Sequence, residues 1–219
     1  QNEVKFWVDI QDYFIFKSLN DLIPKFSIKM DFKEIRSITE IISNIVDYKS
    51  EFTLRHSKDL SEKALLMSEF YKFDLDTKYQ LGIAADLHDI GKLAISNDIL
   101  DKNGKLEPFE FLEIKSHAYL TRKALENICG FEKITEWAAN HHEKLNGRGY
   151  PLGKTDDELD FCSRILGCLD IYQALTEERP YRASLSHEKS ISIMKSMSEN
   201  YEIDSNIVDS IDKVFCLSI

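Results

Sequence analysis

The sequence has few cysteines, no long apolar run and a shortage of positive charge, and each shortage excludes a class of protein. The four cysteines form no CxxC pair, which fits a reducing compartment rather than a disulfide scaffold or a zinc knuckle. No signal peptide is recognised, and no apolar run reaches the roughly 18 residues of a membrane span. Because 38 acidic residues outnumber 28 basic ones, the surface repels nucleic-acid phosphates and DNA is not an expected partner. We expect a cytoplasmic protein.

Helical periodicity dominates what is present, and strand signals are weak. With 219 residues, of which 43% are hydrophobic, the chain suits one domain, or one domain with an appendage. It begins at Gln1, and we interpret it as a fragment of a longer or processed protein. We predict an N-terminal helical segment or linker over residues 1–48 and the main domain over 49–219. Helices are predicted over residues 34–48, 52–71, 77–87, 108–127, 131–142, 156–176, 186–197 and 204–215.

One predicted helix carries an unusually regular isoleucine stripe. Residues 34–48 place apolar side chains at the i, i+3, i+4, i+7 spacing of one helix face: Ile35, Ile38, Ile41, Ile42, Ile45 and Val46. Paired copies of this helix would bury the stripe in a homodimer. The stripe would equally be buried if the helix packs on the core of its own chain, and the sequence leaves both alternatives open.

Five of the six histidines stand in one ordered series with two aspartates. The series comprises His56, His88 and Asp89 in LHDIGK, His117, His141 and His142 in HHEKLNGRGYP, and Asp170 in CLDIYQAL. Imidazole and carboxylate are the usual ligands of borderline divalent metals. Seven such residues are too many for one four-coordinate structural ion. Their number suits a two-metal catalytic centre.

Each member of the series also has a simpler interpretation. The flanks of Asp89 and the apolar run around Asp170 predict that both carboxylates are buried, and a buried carboxylate needs a partner. For Asp170 that partner is either a metal or an arginine, with Arg164 and Arg179 as candidates. Taken singly, His56 and His117 would be assigned to the core. The adjacent His141 and His142, on a helix, would point about 100° apart and serve different metals.

Taken together, these motifs resemble the HD-GYP family, a branch of the HD-domain metal phosphohydrolases. The resemblance rests on LHDIGKLAISNDILDKNGKL, His117, HHEKLNGRGYP and DIYQALTEERPYR, and it covers roughly residues 50–200. It implies an all-α fold, an HD-domain helical bundle with a dinuclear metal centre in its core. It implies hydrolysis of the bacterial second messenger cyclic di-GMP to pGpG or GMP, with other cyclic dinucleotides as alternative substrates. The implied cofactors are two divalent ions, iron or manganese, with other transition metals as alternatives.

The resemblance also implies a role for individual residues. Lys92 matches the lysine that faces the scissile phosphate, and Asp89 is shared between the metals. Residues Gly149, Tyr150 and Pro151 match the GYP loop that lines the substrate groove. Arg179 and Arg182 match positions that contact the phosphates of the dinucleotide, for which guanidinium groups suit. The matching metal ligands are His56, His88, Asp89, His117, His141, His142 and Asp170.

Two departures from the family pattern bear on metal count and rate. Members with three metals carry a glutamate one helical turn before the first ligand histidine, where this chain has Phe52; we therefore expect two metals. Asn146 replaces the usual aspartate of the loop before the GYP motif. These changes leave open a catalytically weak or inactive module that binds a cyclic dinucleotide or a protein. A nucleotidase acting on mononucleotides is disfavoured by the GYP loop and by the pair Arg179 and Arg182.

Overall fold

The structure, a computed structural model, describes residues 29–49, 56–178 and 183–216. Within these ranges it is all-α, as the sequence predicts, and contains no strand beyond an isolated bridge between Asn146 and Thr155. The chain divides into two compact units, Gln1–Asp31 and Phe32–Ile219, and the described helices belong to the second. They are α1 (Phe32–Asp47), α2 (His56–Phe70), α3 (Leu75–Leu87), α4 (Asn97–Leu100), α5 (Pro108–Leu125), α6 (Glu132–Ala139), α7 (Phe161–Thr176), α8 (His187–Glu199) and α9 (Ser205–Phe215).

Helix α7 lies at the centre of the bundle. Ten of its sixteen residues are buried, which is expected of a helix that is apolar on most of its circumference. Helices α2, α3, α6, α8 and α9 surround it, each contributing fully buried side chains to one core, among them Leu60, Leu81, Ile134, Met194 and Ile207. Asp170 lies on this central helix, so the fold delivers a carboxylate into the interior of the protein.

Side-chain caps define where several helices begin. Asp74 and Asp160 accept hydrogen bonds from the backbone N–H of Thr77 and Ser163, both at 2.7 Å, at the starts of α3 and α7. Because Asp160 caps α7, that helix begins later than the predicted residue 156, and Asp156–Glu158 form a separate 3-10 turn. Pro108 occupies the first turn of α5, as predicted.

The predicted helix over residues 131–142 is wrong at its C-terminal end. Helix α6 ends at Ala139, and Asn140 closes it with a backbone hydrogen bond to the carbonyl of Glu136. His141 and His142 therefore lie in a turn and not on a helix. Their relative orientation follows from the turn and not from the 100° step of a helix.

Helix α1 divides its isoleucine stripe between core and surface. Ile35 and Ile42 pack against the core and Val46 is buried, whereas Ile38, Ile41 and Ile45 are exposed by 46%, 63% and 57%. Packing on the core therefore accounts for half of the stripe, and the homodimer through residues 34–48 stays a prediction. The domain boundary predicted after residue 48 also stays a prediction, although α1 belongs to the same compact unit as the helices that follow.

Two buried hydrogen-bonded contacts join α1 to the helices beside it. The hydroxyl of Thr39 donates to Oδ2 of Asp86 on α3 at 2.8 Å. The carboxylate of Asp47 accepts from the hydroxyl of Ser57 at 2.6 Å and from its backbone N–H at 3.1 Å, in the first turn of α2. None of the described helices has the length and apolarity that crossing a membrane requires.

Candidate functional site

The fold brings the seven predicted ligand residues into one cluster, although they come from five places in the chain. His56 opens α2, His88 and Asp89 follow α3, His117 lies on α5, His141 and His142 follow α6, and Asp170 lies on α7. Their potential ligand atoms form three sets, each within 4.8 Å: His117, His141 and His142; His56, His88 and Asp170; and His88, Asp89 and His141. His88 and His141 each belong to two of these sets, so the three sets form one continuous site.

Each carboxylate of the cluster lies between two imidazoles. Asp89 places Oδ2 3.2 Å from Nε2 of His88 and Oδ1 3.3 Å from Nε2 of His117. Asp170 places Oδ1 3.2 Å from Nε2 of His56 and Oδ2 3.7 Å from Nδ1 of His142. Arg164, an alternative partner for Asp170, pairs instead with Asp204 at 3.3 Å.

The backbone orients three histidines of the cluster in the same way. In each, Nδ1 contacts the carbonyl oxygen three residues earlier: His88 to Ala85 at 2.8 Å, His117 to Ile114 at 2.6 Å, and His141 to Ala138 at 2.6 Å. A carbonyl only accepts, so each Nδ1 carries the proton and each Nε2 presents its lone pair to the cluster. This is how metal-binding imidazoles are usually held.

His56 is oriented by a carboxylate that the sequence analysis missed. Its Nδ1 lies 2.9 Å from Oε2 of Glu177, just after the end of α7. Glu177 follows Asp170 by seven residues, which is close to two full helical turns and therefore the same helix face. That spacing is the signal by which the sequence could have identified it.

Burial and charge together set the protonation of the cluster. Burial raises the pKa of Asp89, but the interactions of its carboxylate with His88 and Lys92 outweigh burial and hold that pKa well below its usual value. Asp170 is likewise held low against the effect of burial, through His56 and His142. Burial, reinforced by His142, lowers the pKa of His141 well below its usual value, and burial lowers the pKa of His142 to about 4. The carboxylates are therefore anionic and these imidazoles neutral, which is the state in which both groups bind metals.

His56 differs from His141 and His142 in its charge. Burial lowers its pKa, but hydrogen bonds to Asp170 and Glu177 outweigh burial and raise the pKa to about 9. A buried imidazole that holds a proton between two carboxylates is a place where a cation is favoured. Nitrogen and oxygen donors of this kind, in this number, fit divalent transition metals.

Lys92 lies beside the His-Asp pair, on the 3-10 helix Ile90–Ala94. Its Nζ is 2.5 Å from Oδ2 of Asp89. The turn that carries it is pressed against α5: a Cβ added to Gly91 would lie 2.0 Å from the carbonyl oxygen of His117. Thr121 completes this contact, accepting from the N–H of Gly91 at 3.1 Å and donating to the carbonyl of His88 at 2.8 Å.

The GYP loop lies against the cluster through Tyr150. The ring centroid of Tyr150 is 4.7 Å from that of His142 and 6.4 Å from that of His117. Gly149 approaches the backbone closely, since an added Cβ would lie 2.4 Å from Cα of Glu143. The buried Glu143, a second residue that the sequence analysis missed, accepts from the N–H groups of Leu152 at 2.6 Å and Lys154 at 3.0 Å. The feature of the sequence by which Glu143 could have been identified is its position directly after His141 and His142.

Some residues singled out by the sequence lie outside this cluster or outside the described residues. The sixth histidine, His187, contacts the hydroxyl of Tyr172 at 2.9 Å and Asp212 at 3.0 Å, apart from the other five. Arg179, Arg182 and Phe52 lie outside the described residues.

Comparisons with known proteins identify the family of the chain. The family model described as HD domain matches residues 40–207. The 3'3'-cGAMP-specific phosphodiesterase 1 of Vibrio cholerae serotype O1 is 38% identical over 188 residues, which are 86% of this chain and 44% of that protein. A probable cyclic di-GMP phosphodiesterase of the same organism is 40% identical over 131 residues, 55% of this chain and 28% of that protein. The chain thus spans less than half the length of either relative.

A solved structure shares the fold at much lower sequence identity. Bd1817, an HDG"Y"P protein from Bdellovibrio bacteriovorus, superposes with a TM-score of 0.63 at 14% identity, over 84% of this chain and 63% of that one. With three quarters of its length matched by the family model and with the joined histidine and aspartate cluster in its core, the chain belongs to the HD domain family, in its HD-GYP branch.

Proposed function

We propose that the protein is a metal-dependent phosphodiesterase that hydrolyses a cyclic dinucleotide, with cyclic di-GMP as substrate and pGpG or GMP as product. The observation that carries the proposal is the continuous cluster of five imidazoles and two carboxylates with Lys92 at its edge. Structural ions in proteins take about four ligands, whereas a larger set around shared carboxylates is typical of two-metal hydrolytic centres. The sequence similarity to named cyclic-dinucleotide phosphodiesterases supports the choice of substrate class.

We propose two divalent ions, iron or manganese, as cofactors. His56, His88 and Asp170 would hold one ion, and His117, His141 and His142 the other, and Asp89, which is grouped with His88 and His141, would contribute a further carboxylate ligand. When bound, such ions activate a water molecule and polarise the oxygens of a phosphoryl group. The expected absence of a third ion rests on Phe52 and stays a prediction.

The chain's own residues supply the rest of the reaction. Water adds to phosphorus and the 3′ oxygen leaves with a proton, which opens the macrocycle. Lys92 is placed to offset negative charge on the phosphoryl oxygens, since its ammonium lies beside Asp89 at the edge of the cluster. Tyr150 lies against the ring of His142 and would form one wall of the substrate groove. Arg179 and Arg182 would hold the phosphates of the ligand.

A second substrate, 3'3'-cGAMP, is favoured by one specific observation. The relative that matches 86% of this chain is named for that dinucleotide. Both substrates contain two 3′,5′-phosphodiester linkages, so the same centre serves either. The scattered cysteines fit a reducing compartment, and we place the enzyme in the cytoplasm.

Product analysis tests the proposal directly. Protein loaded anaerobically with Fe(II) or Mn(II) is incubated with cyclic di-GMP and, separately, with 3'3'-cGAMP, and the linear products are separated by chromatography. We expect cleavage by the wild type and none by His88→Ala or Asp89→Ala, while Asp98→Ala, an exposed aspartate outside the cluster, retains activity. If the protein bound cyclic di-GMP without cleaving it, the result would show that it is a binding module and not an enzyme.

We propose further that α1 forms a homodimer contact through residues 34–48. Ile38, Ile41 and Ile45 present an exposed apolar face on that helix. Light scattering at tens of micromolar protein tests the contact, with Ile41→Lys as the variant expected to abolish it. A monomeric wild type would leave the core-packing alternative.

A further inference from the structure

A lysine on α5 lies between two aromatic rings at the edge of the metal-ligand cluster. Nζ of Lys115 is 4.8 Å from the ring centroid of Phe111 and 4.9 Å from that of Tyr150. Phe111 precedes Lys115 by four residues on the same helix, so the two share a helix face. Tyr150 comes from the GYP loop on the other side. The ammonium thus joins α5 to that loop through two cation–π contacts.

This group of three residues faces the proposed reaction centre. The ring centroid of Tyr150, whose ring Lys115 contacts, is 4.7 Å from that of His142 and 6.4 Å from that of His117. Phe111 remains 50% exposed, so a large part of its ring is available to a ligand. A planar group that enters the cluster from this side would meet an aromatic ring and a positive charge together.

Lys115, unlike several other lysines of the chain, has no carboxylate partner within the described residues. Lys92, Lys102 and Lys154 each form an ion pair with a nearby carboxylate, at 2.5, 2.6 and 2.6 Å. Among the described residues, no carboxylate pairs with Lys115, although the chain carries a net charge of −10. Its hydrogen-bond donors are therefore available to a ligand that offers acceptors.

We propose that Phe111, Lys115 and Tyr150 form a subsite for a guanine base of the substrate. The inference rests on the proposed function and deepens it. A purine stacks on an aromatic face whatever its edge. The edge then decides the preference, since guanine offers two adjacent acceptors, O6 and N7, whereas adenine offers N7 beside the N6 amino donor. An ammonium has donors only, so it favours guanine.

This subsite makes a specific statement about the substrate range. Cyclic di-GMP presents a guanine in either orientation, and 3'3'-cGAMP presents one in a single orientation. Cyclic di-AMP presents none. The protein therefore acts on the first two and discriminates against the third.

Kinetic comparison of two dinucleotides tests the subsite. We measure kcat/KM for cyclic di-GMP and cyclic di-AMP with the metal-loaded wild type, Lys115→Met and Phe111→Leu. Lys115→Met is expected to reduce the preference for cyclic di-GMP about tenfold, the loss expected from one polar base contact. Phe111→Leu is expected to raise KM for both dinucleotides together, because stacking serves either purine.

Lys123→Met is the matched control. Lys123 lies on the same helix, with Nζ 5.5 Å from the ring centroid of Tyr119 and an ion pair to Glu126, away from the GYP loop. It should leave the base preference unchanged. Equal losses on both dinucleotides in Lys115→Met would assign Lys115 to a shared group such as the second phosphate, and no loss would remove it from the site. Either result overturns the guanine subsite.

The outcome for the subsite is separable from that for the proposed function. Hydrolysis of bis(p-nitrophenyl) phosphate by the wild type reports on the reaction centre without any base. If the wild type cleaves no dinucleotide, the proposed function fails, and calorimetric binding of cyclic di-GMP and cyclic di-AMP to the wild type and Lys115→Met decides the subsite instead. An unchanged ratio of the two affinities would overturn it.

Discussion

Glu177 and Asp170 hold His56 from opposite sides of its ring, at 2.9 Å from Nδ1 and 3.2 Å from Nε2. In His88, His117 and His141, by contrast, the partner of Nδ1 is a neutral backbone carbonyl and not a carboxylate. A carboxylate on the outer nitrogen makes the inner nitrogen more basic and a stronger ligand. His56 is therefore the ligand whose strength depends most on one replaceable side chain.

Replacing Glu177 by glutamine should weaken metal binding about 10- to 100-fold, the usual cost of losing an outer partner of a ligand histidine. The measurement is competition between the protein and a chromogenic chelator for Mn(II). Glu178→Gln removes the same charge from the neighbouring exposed position and should leave the affinity unchanged. Equal affinities in wild type and Glu177→Gln would show that Asp170 alone orients the ring.

Removing metal should lower the thermal stability. A ligand that binds only the folded state at 100 times its Kd stabilises it by about 2.7 kcal/mol, which raises Tm by roughly 5–10 °C for a domain of this size. Melting curves of protein treated with chelator, with and without added Mn(II), provide the measurement. His117→Ala should show a smaller rise than the wild type. If Mg(II), which prefers oxygen ligands, raised the Tm as much as Mn(II) does, that result would argue against an imidazole-rich site.

Gly91→Ala should destabilise the fold by about 1–3 kcal/mol or more, the range for overpacking. An added Cβ would lie 2.0 Å from the carbonyl oxygen of His117, so the HDIGK turn and α5 must separate and carry their ligands with them. Urea unfolding measures the loss, and metal content measures the displacement. Gly82→Ala is the control, because its added Cβ meets only side-chain atoms, the nearest being Nε of Arg36 at 3.1 Å. Comparable losses in the two variants would contradict the backbone contact.

Glu136→Gln should reduce stability at neutral pH and much less in acid. Hydrogen bonds from Arg122 above all, and from Lys154, lower the pKa of Glu136 from 4.5 to about 2. A carboxyl whose pKa is lower in the folded state stabilises the fold above its ordinary pKa, and the contribution is lost as pH falls through the folded value. The difference in Tm between variant and wild type should therefore be largest above pH 4.5 and shrink towards pH 2. A constant difference over that range would mean that the amide disrupts packing instead.

The sequence predicted those parts of the site that depend on residue type and spacing. The candidate ligand histidines and aspartates recur in a fixed order, and helix periodicity places most of them on or next to helices, so their convergence in the core could be anticipated. The seven residues do converge. The all-α fold follows from helical periodicity, and the predicted starts of α5, α8 and α9 agree with the observed starts to within one residue. Both depend on local properties of the chain.

The parts that the sequence analysis missed depend on contacts between distant segments or on backbone geometry. The contact of Glu177 with His56 joins residues 121 positions apart, and only the packing of α2 on α7 creates it. The end of α6 at Ala139 depends on where a turn begins, which periodicity locates poorly. Lys115 reads as an ordinary solvated lysine until the GYP loop folds back and places Tyr150 beside it.

The two contacts of α1 link its position to the geometry of the site. Asp47 holds Ser57, the residue after His56, and Thr39 holds Asp86, two residues before His88. A shift of α1 along its axis by the rise of one residue is about 1.5 Å. Such a shift would either break both hydrogen bonds or displace Ser57 and Asp86 with the helix. Two members of one candidate ligand set, His56 and His88, are thus each connected through a near neighbour in the chain to the same helix, α1. A displacement of α1 would therefore reach the cluster at two points at once and change the distance between these two histidines.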